Sequence, residues 1–233
     1  MTKIAIFTEG QTELLFTCEV IKQLAESSRI FIRSHRKNGR GDKLIKIDLG
    51  SEGDEHDHKF YFQILDCGSD EQVLPTIVDE YETLVSADFS HIIGLRDLHP
   101  HAREDLHKLQ ASIKKFSPKG CIEPLIVISV MEVEAWFIAE NCHFPKIDET
   151  LTVRSIKEQK SIDVELNSET FDSPSVTLDE IYQLVGKSYG KAKAEVLETV
   201  GALDVREYFG SAGARAETVK PFVGRIREIF AAN

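Results

Sequence analysis

The sequence predicts an α/β protein with a three-layer, mostly parallel sheet flanked by helices and a helical C-terminal extension. Three observations predict it. Short runs of β-branched and aromatic residues recur through the first part of the chain, stretches of helical apolar spacing lie between them, and beyond about Phe144 the character changes to a polar stretch followed by helical spacing. Strands alternating with helices favour parallel pairing through right-handed crossovers. With 233 residues and 42% hydrophobic content, the chain is long enough to bury one full core. We therefore read residues 1–143 as an α/β domain and 144–233 as a helical extension packed on the same core.

The elements follow in order. Lys3 to Thr8 (KIAIFT) reads as a strand that stops at Glu9-Gly10, and Gln11 to about Ser27 has helical spacing. Ile30 to Arg33 reads as a second strand, and Ser34 to Lys43, polar with two glycines, as an exposed loop. Asp48 to His58 is dense in Asp and Glu, with His56 and His58 among them; it reads as a mobile acidic loop rather than a metal site. Lys59 to Leu65 is the next strand, and Gln72 to Val85 the next helix. His91 to Leu95 (HIIGL) is a short buried strand ending in Arg96-Asp97, Glu104 to Phe116 an amphipathic helix, and Pro124 to Val130 (PLIVISV) the most apolar strand. Lys146 to Ser175 is polar and poorly periodic, and helices are predicted near Leu178 to Val185, Lys191 to Val200 and Val219 to Phe230.

Composition excludes several classes. No apolar run approaches the roughly 18 residues that cross a bilayer. The N-terminus, with Lys3 and an early Glu9, lacks the basic start of a signal peptide, so the expected location is the cytoplasm. Cys18, Cys67, Cys121 and Cys142 form no CxxC pair and are expected to be reduced core thiols. A net charge of -11 argues against broad, charge-driven nucleic-acid binding but leaves room for a local basic track.

Carboxylates fall where predicted strands end: Glu9 after the first, Asp97 after HIIGL, and Glu132 with Glu134 after PLIVISV. Ligands of open α/β sheets bind outside the carboxyl ends of the strands, so these acids are placed to converge although distant in sequence. Magnesium and manganese take hard oxygen ligands of this kind. For each acid the structural reading stands beside the functional one, and Glu13, in a first helical turn, is accounted for by the helix dipole. Of Glu132 and Glu134, we expect Glu134 to point inward, because Ala135-Trp136 follows it directly. Trp136 and Phe137 are expected in the core. Gly186-Lys187-Ser188 is not a nucleotide-binding loop, since Ile181 stands where the first glycine of GxxxxGKS belongs.

These residues carry a resemblance. Glu9-Gly10-Gln11-Thr12-Glu13 resembles the EGxTE start of TOPRIM-like proteins, a group that includes primases, topoisomerases and overcoming-lysogenization-defect nucleases. Gly94-Leu95-Arg96-Asp97 and Val133-Glu134-Ala135-Trp136-Phe137 resemble the second and third motifs of an uncharacterised bacterial TOPRIM-like family often encoded beside an ATPase in phage-defence islands. Tyr189-Gly190-Lys191 and the closing Arg215 to Ile229 segment resemble that family's C-terminus, so the likeness covers most of the chain. It implies a metal-dependent phosphoryl-transfer site, with Glu9 as general acid or base and Asp97 and Glu134 holding Mg²⁺ or Mn²⁺, flanked by Glu132 and Glu13. The chain departs from the usual Asp-x-Asp pair in having Asp97-Leu98-His99. An imidazole at His99 suits manganese or another transition metal better than magnesium.

Seven basic residues lie between Arg29 and Lys46 against one acid, Asp42. Arg33, Arg36, Lys37, Arg40 and Lys43 of this track, with Arg96 and Lys191, are the candidates for gripping a phosphate backbone; the competing reading is a solvated loop and a covered helix surface. The leading expectation is a metal-dependent nuclease acting on DNA or RNA. The alternatives are a non-catalytic adaptor or effector subunit that binds an ATPase partner, and a small-nucleotide hydrolase.

Overall fold

The computed structural model describes residues 1–38 and 45–232. It is α/β, with a six-stranded, mostly parallel sheet and helices, in line with the sequence. The strands are β1 (Thr2–Thr8), β2 (Ile30–Asn38), β3 (Ile45–Gly53), β4 (Phe60–Asp66), β5 (His91–Asp97) and β6 (Leu125–Ser129), in the order β3-β2-β4-β1-β5-β6. β1 pairs in parallel with β4 and β5, and β2 with β4, while β3 runs antiparallel to β2. The helices are α1 (Gln11–Ala25), α2 (Asp70–Ser86), α3 (Leu106–Phe116), α4 (Glu134–Ala139), α5 (Phe144–Ile147), α6 (Val153–Lys160), α7 (Pro174–Tyr182), α8 (Lys193–Ala202), α9 (Ser211–Arg215) and α10 (Lys220–Ala231).

The chain divides into two compact units. The first holds Met1–Leu14, Ala25–Arg96 and Glu104–Ile128; the second holds Leu15–Leu24, Asp97–Arg103 and Ser129–Asn233. In the first, α2 lies on the sheet because its apolar positions fall on one stripe. Val73, Ile77, Tyr81 and Leu84 bury against Ala5, Phe7, Leu65 and Ile92. Gly94 of β5 sits under this contact. A Cβ there would stand 2.7 Å from Ile126 Cδ1, 3.0 Å from Ile77 Cδ1 and 3.2 Å from Val73 Cγ1. Gly94→Ala is therefore expected to cost about 1–3 kcal/mol by overpacking, read as a lower urea midpoint at unchanged slope.

The core of the second unit is aromatic. Phe16 of α1 meets Trp136, Phe137, Tyr208 and Phe222 at ring-centroid distances of 5.4 to 6.1 Å. Trp136 and Phe137 are fully buried, as expected, and the indole Nε1 donates to Thr218 Oγ1 at 2.9 Å. Every residue of α4 is buried.

Three expectations need correction. Ser34 to Asn38 continues β2 rather than forming a loop, and most of the stretch read as an acidic loop is β3, which runs to Gly53. The two strands make a ribbon with solvent along β3, and its short apolar alternation, Ile45, Ile47 and Leu49, gives way to Gly50-Ser51-Glu52-Gly53, which reads as a loop. Second, the polar stretch from Lys146 contains α6, whose N-terminus is closed by Thr152 accepting from the Ser155 N–H. Third, only Cys18 and Cys67 are buried; Cys121 and Cys142 are exposed. Burial pushes the Cys67 thiol up to about 12, which keeps it inert.

Candidate functional site

In the second unit, the last residue of β5 and the residues that follow β6 carry three of the predicted carboxylates. The backbone continues the pairing past the strand ends: Leu98 N–H donates to Ser129 O at 2.9 Å and His99 N–H to Met131 O at 3.0 Å. This brings Ser129 beside Asp97, and its hydroxyl donates to the Asp97 carboxylate. Met131 then takes a left-handed backbone, φ 64°, a conformation that disfavours a residue with a Cβ. That turn sends the chain through Glu132 into the buried first turn of α4.

Glu134, the first residue of α4, has no exposed surface. Its Oε1 accepts from the Tyr189 hydroxyl at 3.0 Å and lies 3.2 Å from Lys191 Nζ. Its Oε2 is buried with no hydrogen-bond partner, which for a carboxylate is a costly position. Glu132 is less deeply placed. It accepts from Ser175 N–H at 2.8 Å and Ser175 Oγ at 3.0 Å, at the start of α7, and pairs with Lys191 at 3.1 Å. Both acids thus meet on one ammonium, although only Glu134 is enclosed.

Lys191 is held for this task. It too has a left-handed backbone, φ 62°. The loop that carries it is pinned by Glu195, whose carboxylate accepts from Ser188 Oγ at 2.8 Å, Gly190 N–H at 2.7 Å and Ala192 N–H at 3.1 Å. Strained positions persist where the surroundings over-determine them, and both here border the same carboxylates.

The electrostatics follow. Burial lowers the affinity of Lys191 for its proton, but Glu134 and Glu132, with Asp97 farther down, outweigh it, so the ammonium is retained well above its ordinary range. Burial raises Glu134, and the neighbouring Lys191 offsets this only in part, leaving it above the ordinary carboxylate range. Glu132 is also partly desolvated, yet the Ser175 amide and Lys191 hold it below that range.

The other predicted residues stand elsewhere. His99 is exposed, with its backbone tied to Met131. Glu9 and Glu13 belong to the first unit: Glu9 N–H donates to Leu95 O at 3.2 Å, and Glu13 is buried with Oε2 accepting from Gly10 N–H at 2.9 Å, a capping role at the start of α1. The basic track is largely engaged. Arg33 pairs with Asp48 at 2.9 Å, Arg36 with Asp66 at 2.6 Å, and Lys37 donates to Thr76 Oγ1 at 3.0 Å. Arg96 is buried and bridged to Asp70 at 2.9 Å. Arg40 and Lys43 lie outside the described residues.

Sequence reasoning missed Ser129, Ser175 and Glu195, which orient the charged groups, and a second buried cluster in the same unit. Glu140 and His143 are both fully enclosed, with His143 Nδ1 3.7 Å from Glu140 Oε2. No hydrogen bond of ordinary geometry reaches either Glu140 oxygen or His143 Nε2. Burial raises Glu140 to about 7, despite nearby amides and Lys146, and lowers His143 to about 4. No sequence signal marked them, because an i, i+3 acid and imidazole beside exposed residues read as surface.

Among the described residues no group of three or more His, Cys, Asp or Glu side chains is gathered to hold a metal ion, and no helix is long and apolar enough to cross a membrane. No family model matches the chain, and no curated protein is similar to it. Among solved structures, the chain is similar to the crystal structure of a hypothetical protein from Pyrococcus horikoshii OT3, at 12% identity and a TM-score of 0.51, over 97% of this chain and 99% of that one. That likeness supports the α/β fold and nothing beyond it.

Proposed function

We propose that this chain is a metal-dependent phosphoryl-transfer protein of nuclease type, with its site in the second unit around Asp97, Glu132, Glu134 and Lys191. One observation carries the reading: Glu134 is a fully buried carboxylate with an unpartnered oxygen, held against a lysine that Asp97 also acts on. Perturbed, enclosed charges of this kind cluster at functional sites, which supports the reading. Asp97, Glu132 and Glu134 offer the hard oxygens that Mg²⁺ or Mn²⁺ take, but among the described residues they are not gathered as a ready ligand set and Glu132 and Glu134 both face the Lys191 ammonium, so an ion held there would have to displace that lysine. Bound there, the ion would supply the polarisation of a phosphoryl oxygen and the activation of water. Lys191 keeps the buried carboxylates compensated, Tyr189 fixes Glu134 Oε1, and Ser129 fixes Asp97. Nucleic acid is the proposed substrate.

Titration of Mn²⁺ tests this. Saturable heat is expected with the wild type and none with Asp97→Asn, while Ser129→Ala, which removes only the group orienting Asp97, should weaken binding about 10–100-fold. A wild type that releases no saturable heat would sink the metal reading.

A second reading is favoured by the same lysine. Lys191 already bridges both glutamates, and an internal cation in that place suits a non-catalytic subunit that acts by binding a partner such as an ATPase. Co-purification with an ATPase, joined to no Mn²⁺-dependent cleavage by either protein or both, would select it.

A further inference from the structure

β3 is an edge strand unlike the rest of the sheet. All nine of its residues are exposed, and among the described residues it pairs on one side only, with β2. It also carries three of the large apolar side chains that face solvent: Ile45 is 59% exposed, Ile47 38% and Leu49 46%. An exposed edge with apolar side chains is a template for further strand pairing.

The sequence of β3 states which strand fits. Read antiparallel against itself about Ile47, the segment Ile45-Lys46-Ile47-Asp48-Leu49 is self-complementary. Ile47 faces Ile47 of a second copy, Lys46 faces Asp48, Asp48 faces Lys46, and Ile45 and Leu49 face one another. Opposed charges and apolar pairs at directly facing positions are what stabilises antiparallel neighbours. A twofold contact requires the same patch on both partners, with residue i meeting j and j meeting i, and this pattern satisfies that condition. The flanking ion pairs do not prevent it. Lys46 reaches Glu80 at 2.8 Å and Asp48 reaches Arg33 at 2.9 Å, both in exposed settings where a charge is readily shared. The register shift between Ser34 and His35 on β2 leaves Leu49 without a partner there, so the best-matched part of the contact is Lys46 to Asp48.

We propose that β3 joins two copies of this chain edge to edge about a twofold axis at Ile47, so that one sheet runs through both. The inference stands apart from the proposed function of the second unit.

Sedimentation velocity on the full chain tests it through a charge exchange. The wild type is expected to be a dimer. Lys46→Glu sets a second carboxylate against the partner's Asp48 at two symmetric places and should weaken association about tenfold or more, as should Asp48→Lys. The double exchange, Lys46→Glu with Asp48→Lys, restores opposite charges and should recover most of the loss. Cross-linking is a second readout that does not depend on salt or charge. With Cys121→Ser and Cys142→Ser, Ile47→Cys should form an intermolecular disulfide rapidly on oxidation, and Val78→Cys, exposed on α2, should not. A wild type that stays monomeric at its highest soluble concentration overturns the proposal, including the case where an extended segment of another protein binds this edge. So does a dimer indifferent to both single charge variants, which would place the contact elsewhere.

Discussion

Lys191→Met is expected to destabilise the protein by about 2–3 kcal/mol near neutral pH. Removing one partner of a buried ion pair leaves a charge enclosed without compensation, a loss of roughly 3–5 kcal/mol when both partners are dry. The Lys191 side chain is 39% exposed while Glu134 is 0% exposed, so the lower figure applies after screening. The loss should also depend on pH. Without the ammonium, burial holds Glu134 further above its ordinary value, so the folded state keeps a proton that the unfolded state releases. Stability then falls as pH rises above the unfolded value of 4.5. Urea unfolding at about pH 5 and about pH 8 should show the variant's deficit larger at the higher pH. An equal deficit at both would mean that Lys191 acts by packing rather than charge. Glu134→Gln in the Lys191→Met background removes the stranded charge and should recover part of the stability.

The second large effect concerns Glu140 and His143. Burial lowers His143 from 6.5 to about 4, so as pH falls through that window the unfolded chain takes up a proton the folded chain refuses, and stability falls. Burial raises Glu140 from 4.5 to about 7, so there the folded chain holds the extra proton and stability falls as pH rises. Between pH 4.5 and 6.5 the two slopes oppose one another, and the wild type should be nearly flat. Glu140→Gln removes one of them. The variant's stability should climb by about 3 kcal/mol from pH 4 to pH 6.5, the His143 contribution alone. A variant as flat as the wild type would show that His143 does not remain neutral when folded.

The buried strands were legible because burial writes itself into composition. KIAIFT, HIIGL and PLIVISV are mostly apolar because most of their positions are buried, so β1, β5 and β6 lie close to where the sequence put them. The β2–β3 ribbon was legible only at Ile30 to Arg33, since the rest of β2 is polar and the end of β3, from Asp48 to Gly53, has the Asp, Glu, Ser and Gly of a loop. At the candidate site, strand-end position singled out Asp97, Glu132 and Glu134, and of the two glutamates Glu134 is the enclosed one, as the residue after it indicated. What no spacing revealed is that Lys191, some sixty residues on, would be bound to both glutamates. The closing contact depends on the left-handed turns at Met131 and Lys191, and neither carries the glycine or asparagine that announces such a turn.

The interleaving of the two units along the chain limits how this protein can be divided. A fragment ending at Ile128 retains every segment of the first unit, but it also retains Leu15–Leu24, with Phe16, Val20 and Ile21 buried in the whole chain. The rings that enclose Phe16 come from residues 136, 137, 208 and 222, all missing from that fragment. Its helix would present a bare apolar stripe, a seed for aggregation rather than a free-standing module. Neither unit is one continuous stretch of chain, so neither can be cut out or fused to another protein as a single piece.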